Sequence, residues 1–173
     1  MKRAKKYPFL KLQKQRLQLN FDNASSISDV PSEKDFYRWI WAAAKSAYRR
    51  AEISLILLDE DEARAYNRDW RGKDYATNVL SFALNEGEML PEMFSDGIET
   101  LSGDLIICPQ VVLKEAAEQG KTPEAHFAHL TTHGTLHLMG YDHIDDDEAE
   151  EMEALETQLM LAQGFENPYR ELP

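Results

Sequence analysis

Apolar and polar positions alternate along this chain with two periods, and the period changes mark its elements. In RLQLNFD, Leu17, Leu19 and Phe21 recur every second residue, which predicts a strand. PSEKDFYRWIWAAAKSAYRR follows, with Ser32 as an N-cap and Phe36, Ile40, Ala43 and Ala47 at helical spacing. The run EISLILLD (52–59) is short and apolar, hence a strand, and DEDEARAYNRDWR opens a helix with acids in its first turn. NVLSFAL (78–84) and DLIICP (104–109) predict two more strands, with Gly103 marking the start of the second. Between them NEGEMLPEMFSDGIETLSG has no period and is the one long loop, of the kind that carries function.

The last third is helical. Pro109 suits the first turn of a helix reaching Gly120, and Thr122 with Pro123 begins another that runs through a histidine-rich segment to Gly140. Asp145 to Asp147 seed a final helix ending near Gly164, with Ala149, Met152, Leu155, Leu159 and Ala162 as its buried stripe. The expected fold is a small α/β (α+β) domain with about four strands in a mixed sheet and about five helices. One of these helices carries four of the five histidines. No internal repeat interrupts the domain.

Composition narrows the function classes. The 173 residues, 43% apolar, suffice for one domain with a real core and hardly for two. The single cysteine, Cys108, cannot form an internal disulfide, so cytoplasm is the expected compartment. No apolar run approaches the roughly 18 residues of a membrane helix, and MKRAKKYPFLKLQKQR lacks a signal peptide's apolar stretch; no membrane partner is expected. Charge is uneven. Residues 1–16 hold Lys2, Arg3, Lys5, Lys6, Lys11, Lys14 and Arg16 and no acid, against a net charge of −12 for the whole chain. Residues 1–16 therefore read as a basic arm, either a solvated tail or an RNA-contacting segment, ahead of an acidic domain over 17–173.

The segment HGTLHLMGYDH carries the chemistry. His133 and His137 are four apart, so on a helix their rings stack on one face at metal-binding distance. Gly140 ends the helix, and the returning chain brings His143 to the same ion. Three protein ligands leave an open position, as in a catalytic zinc site; a closed structural site is the alternative, with Asp142 as its fourth ligand. His126 and His129, further back on the helix, read as partly exposed or hydrogen-bonded residues, outer partners rather than ligands. The spacing coincides with that of metzincin proteases, but their general-base glutamate is replaced by Gly134, which takes no proton. Three neutral imidazoles also leave the ion its full charge, which favours an anion such as a phosphate over a peptide.

A second cluster lies in NRDWRGKDYATNVLSF, where Arg68, Arg71 and Lys73 surround Gly72 just before a strand. Arginine's planar fork matches two phosphate oxygens and suits charge building on a phosphoryl group; the plain alternative is an exposed turn paired to Asp69 and Asp74.

HGTLHLMGYDH, WRGKDYATNVLSF, GDLIICPQVV and the acidic DDDEAEEMEALE occur together in an order that resembles the YbeY family of bacterial endoribonucleases, from about residue 50 to the C-terminal GFENPY. The resemblance implies a metal-dependent, single-strand-specific nuclease of ribosomal RNA, acting at the 3′ end of small-subunit RNA and in ribosome quality control. Its partners would be single-stranded and ribosomal RNA, with ribosomal or small-subunit proteins, and no DNA. It implies one Zn2+ per chain on His133, His137 and His143, with Arg71 and His133 required for activity. Trp70, Tyr75 and Phe82 are candidates for base stacking, or else core residues at a strand edge. Ala83 stands where many members have proline and Asn78 where many have aspartate, and the basic opening is longer than is usual. Two other classes stay open beside the nuclease: a non-catalytic ribosome-assembly factor with a structural zinc, and a zincin-type protease.

Overall fold

A computed structural model describes residues 16–84 and 100–171. The basic arm, apart from Arg16, and most of the long loop after the third strand lie outside the described residues. Four strands and five helices follow one another as β1 (Leu17–Asn23), α1 (Glu33–Ala44), β2 (Arg50–Leu57), α2 (Glu60–Arg71), β3 (Val79–Ala83), β4 (Thr100–Ile107), α3 (Pro109–Glu118), α4 (Pro123–Leu138) and α5 (Asp146–Ala162). They form the single mixed-sheet domain that the periodicity predicts. The sheet order is β1-β2-β4-β3. β1, β2 and β4 run parallel, and β3 lies antiparallel on the edge beside β4.

Register is set by one apolar face. Leu17, Ala51 and Leu101 align across the three parallel strands, as do Phe21, Leu55 and Leu105. A slip of one residue would turn all of them to the other side. Against this face pack Phe36, Trp39 and Ile40 of α1 and Phe127 and Leu130 of α4. The opposite face holds a smaller cluster of Leu58, Leu80 and Ile106. There Trp70, at the end of α2, stands edge-on to Phe82 with ring centroids 6.0 Å apart.

Several expectations need correction. Gly103 is not the start of β4 but lies within it, because the end of α4 presses on the sheet there: a Cβ on Gly103 would lie 2.6 Å from Leu138 Cδ2. α1 stops at Ala44, so the helical spacing that reaches Ala47 continues only in the sequence, and Ala47 is exposed. On α5, Met152 is buried as expected, but Ala162 is exposed and Ala149, Leu155 and Leu159 are only half-buried. Glu156 and Met160 share the buried row with Met152. A carboxylate in that row is unusual enough to ask what it meets.

Candidate metal centre

α4 is the buried spine of the domain. Thr122 caps it, its side chain accepting from the Ala125 amide at 3.1 Å, with Pro123 in the first turn. Apolar and small residues surround it on most sides, as expected of a helix packed all round. Thr131 and Thr135 are fully buried because their hydroxyls donate to the carbonyls of Phe127 and Thr131, at 2.7 and 2.8 Å. Gly134 sits where the helix is closest to the sheet. A Cβ there would lie 3.0 Å from Leu105 Cδ2 and from Val79 Cγ2, and 3.2 Å from Ser81 Oγ. This approach is tight for any side chain, and a glutamate at 134 would point into the sheet.

One turn apart on the remaining open side, His133 and His137 bring their Nε2 atoms to 3.0 Å, with ring centroids 4.5 Å apart. The helix ends at Leu138, and Gly140 takes a φ of 96°, a left-handed conformation that glycine tolerates and most residues do not. Its amide donates to the His137 carbonyl at 3.0 Å and that of Tyr141 to the Leu136 carbonyl at 3.1 Å, which turns the chain back. His143 then stands with its ring centroid 5.0 Å from His137 and 5.6 Å from His133. One nitrogen from each of the three rings falls within 4.8 Å of the others. Asp142 does not close this group; its carboxylate accepts from the His143 amide at 2.8 Å and lies 3.6 Å from His143 Nδ1. Burial, then the neighbouring His133 and His143, lower the pKa of His137 to about 4, so its imidazole is neutral at neutral pH. A neutral nitrogen is what a metal ligand requires, so the donor set fits a divalent cation.

The unexpected carboxylate of α5 stands behind the site. Glu156 is fully buried and takes His133 Nδ1 on one oxygen and the Tyr169 hydroxyl on the other. Burial alone would raise its pKa, but the nearby rings of His129 and His133 and the Tyr169 hydroxyl outweigh this and hold it at about 2. Burial and the Glu156 carboxylate push the Tyr169 phenol far above its ordinary value. Sequence reasoning missed both residues. The available signal was that Met152, Glu156 and Met160 are four apart, so the glutamate stands inside an apolar row.

His126 and His129 are buried rather than partly exposed, and both are hydrogen-bonded. His126 Nε2 lies 2.8 Å from Glu115 Oε2, while Asn78 Nδ2 donates to both Glu115 oxygens at 3.2 and 3.1 Å. Asn78 thus joins α3 to the start of β3. His129 Nε2 lies 3.3 Å from the Tyr169 hydroxyl.

The basic turn is held by several polar contacts. Gly72, at a φ of 70°, ends α2, and buried Asn67 donates to the Tyr75 carbonyl at 2.7 Å. Arg64 grips Asp74 with two bonds of 2.8 and 2.9 Å, and Arg68 pairs with Asp69 at 3.0 Å. The expected surface pairing is therefore real for Arg68. Arg71 and Lys73, by contrast, are exposed and have no carboxylate partner among the described residues. Trp70 and Tyr75 are exposed beside them, at 71% and 54%, while Phe82 is half-buried beneath Trp70.

Fold and site together define a small α+β domain whose central helix and following turn present three histidines fit for a metal. Comparison with known proteins narrows the class. The family described as Endoribonuclease YbeY matches residues 19–164, and the chain belongs to that family. It is 77% identical to the Endoribonuclease YbeY of Neisseria meningitidis serogroup A over 171 residues, 99% of this chain and 98% of that one. Identity to the Chromobacterium violaceum protein of the same name is 47% over the same shares of both chains. A solution structure from Thermotoga maritima, 21% identical, has the same fold, with a TM-score of 0.53 covering 89% of this chain and all of that one.

Proposed function

We propose that this protein is a zinc-dependent, single-strand-specific endoribonuclease that matures ribosomal RNA in the cytoplasm, at the 3′ end of the small-subunit RNA, and serves ribosome quality control. One observation carries the reading: three imidazole nitrogens within 4.8 Å of one another, in a chain that belongs to the YbeY family. His133, His137 and His143 hold one Zn2+. When bound, the ion supplies Lewis-acid chemistry, polarising a phosphoryl oxygen and making water a better nucleophile near neutral pH.

The chain's own residues supply orientation and charge. Arg71, exposed and with no carboxylate partner among the described residues, binds the phosphodiester through its planar fork and offsets negative charge as it builds. His133 is needed both to hold the ion and to keep it in register with the buried Glu156 behind it. Single-stranded bases stack on Trp70 and Tyr75, whose faces are open to solvent while a duplex would keep its bases inside. Residues 17–173 form the nuclease domain, and the basic residues 1–16 add attraction for RNA. Peptide hydrolysis is disfavoured, because the crowding at Gly134 leaves no room for the glutamate a zincin protease uses.

The test is cleavage of a labelled single-stranded RNA by the purified protein beside Arg71→Ala, with zinc content measured in both. The expected result is cleavage that a chelator abolishes and that Arg71→Ala loses by about 10²-fold or more, with fold and zinc unchanged. Equal trace activity in both proteins would leave the non-catalytic assembly factor as the better reading.

A further inference from the structure

We propose that Glu156 and Tyr169 act together as a positioning device for His133: the carboxylate takes the Nδ1–H of His133 on one oxygen and the Tyr169 hydroxyl on the other, so that His133 Nε2 is held toward His137 and His143. The inference rests on the metal reading of the three histidines.

Its basis is the directionality of the groups. An ionised carboxylate only accepts hydrogen bonds, so the ring nitrogen facing it carries the proton, and the other nitrogen presents a lone pair. That other nitrogen, Nε2, is the atom 3.0 Å from His137 Nε2. The opposite tautomer would set a lone pair against the carboxylate and turn an N–H into the site. Ring direction is fixed by the same contact, because Glu156 is fully buried and its helix is packed against α4 through Leu136 and Met152.

Glu156 has no lysine or arginine at ion-pair distance among the described residues; its ion-pair partners there are His129 and His133. The second oxygen meets the Tyr169 hydroxyl and, at 3.6 Å, His129 Nε2, and the same hydroxyl lies 3.3 Å from that ring nitrogen. Tyr169 comes from the C-terminal turn, which is clipped to α5 beside Glu156. Asn167 Oδ1 accepts from the Tyr169 amide at 2.8 Å and from Thr157 Oγ1 at 3.4 Å, and Pro168 is buried. The turn beyond the last helix thus reaches the metal centre through one intermediate, Glu156, which holds His133.

The experiment measures Co2+ affinity, by competition with a chromophoric chelator, for the full-length wild type, Glu156→Gln, Tyr169→Phe and His137→Ala, each checked for fold by circular dichroism. Ring-15N spectra of the metal-free proteins report the His133 tautomer. Glu156→Gln keeps the shape but loses the charge, and is expected to weaken Co2+ about 10- to 100-fold; Tyr169→Phe, which removes one hydroxyl, about 10-fold. The wild type should show His133 protonated at Nδ1 and Glu156→Gln a weaker preference for that tautomer, a change that a role in packing alone would not produce. Unchanged affinity in a folded Glu156→Gln, while His137→Ala loses the ion, would overturn this inference and leave the metal reading standing. Wild-type protein that binds no Co2+, indistinguishable from His137→Ala, would overturn the metal reading and the inference with it. Should Glu156→Gln not fold, Tyr169→Phe decides: unchanged affinity sinks the proposal.

Discussion

Ser81 donates its hydroxyl to the carbonyl of Gly134 at 3.0 Å, and the place a Gly134 side chain would start is 3.2 Å from that same hydroxyl oxygen. The edge strand and the histidine helix are thus joined at Gly134 itself. Replacing Gly134 by alanine has two opposed effects. A helix interior gains about 1 kcal/mol from losing a glycine, whereas overpacking a close-packed core costs about 1–3 kcal/mol. Leu105 is fully buried and Val79 is stiff at χ1, so neither yields easily, and the cost wins. Gly134→Ala is expected to lower the urea midpoint, and Gly134→Glu to cost at least about 3 kcal/mol by driving a carboxyl into apolar surroundings. A stabilised Gly134→Ala would show that the helix can lift off the sheet.

Metal binding should be visible in stability before any activity is assayed. A ligand that binds only the folded state adds about 2.7 kcal/mol at a concentration of 100 Kd. Adding Zn2+ to metal-free protein should therefore raise its thermal midpoint, and a chelator should reverse the gain. His137→Ala should show neither response. An equal rise in that variant would place the ion elsewhere.

One half-buried and one buried imidazole make the metal-free protein acid-sensitive. His137 has a folded pKa of about 4 against the ordinary imidazole value of 6.5, and that of buried His126 is also lowered, in both cases first by burial. The unfolded chain therefore binds more protons below pH 6.5, so stability is present above that pH and is lost as pH falls toward 4. Glu156 adds to the loss at lower pH: with a folded pKa of about 2 against 4.5, its contribution fades as pH falls through that window. Urea midpoints of metal-free protein measured from pH 7 down to 4 should fall steadily, and less steeply for His137→Gln. A flat profile would mean that these rings are not buried neutral in the fold.

A control on helix stability lies far from this chemistry along the chain. Ser32 and Asp35 form a reciprocal cap at the start of α1, the Ser32 side chain accepting from the Asp35 amide and the Asp35 carboxylate from the Ser32 amide at 3.0 Å. Ser32→Ala should cost about 1 kcal/mol in urea unfolding. Zn2+ affinity should not change. A shift in affinity would show that α1 transmits strain to α4, against which it packs.

Much of the framework is legible in local pattern. Period-two runs at Leu17–Phe21 and the apolar runs of β2 and β4 mark the strands, Ser32 and Thr122 mark helix starts, and the four-residue spacing of His133 and His137 places both on one helix face. These are near-neighbour properties, set by backbone geometry and the alternation or rotation of side chains. Register along α5 is where the local pattern failed: the expected stripe includes Ala162, which is exposed, and omits Glu156, which is fully buried.

What the sequence by itself determined, then, is the order and kind of the elements and the presence of three ligand-type histidines near one helix end. Tertiary structure decided three things that involve residues far apart in the chain. It placed Glu156, 23 residues beyond His133, against that ring's far nitrogen. It brought Tyr169 back to the same carboxylate, and it pressed Gly134 onto Val79, Ser81 and Leu105. The physical reason is that a buried carboxylate is stable only where several donors converge on it, and a glycine inside a helix is favoured where another element approaches closely. Convergence and approach are properties of packing, and no window along the chain contains all of the groups that create them.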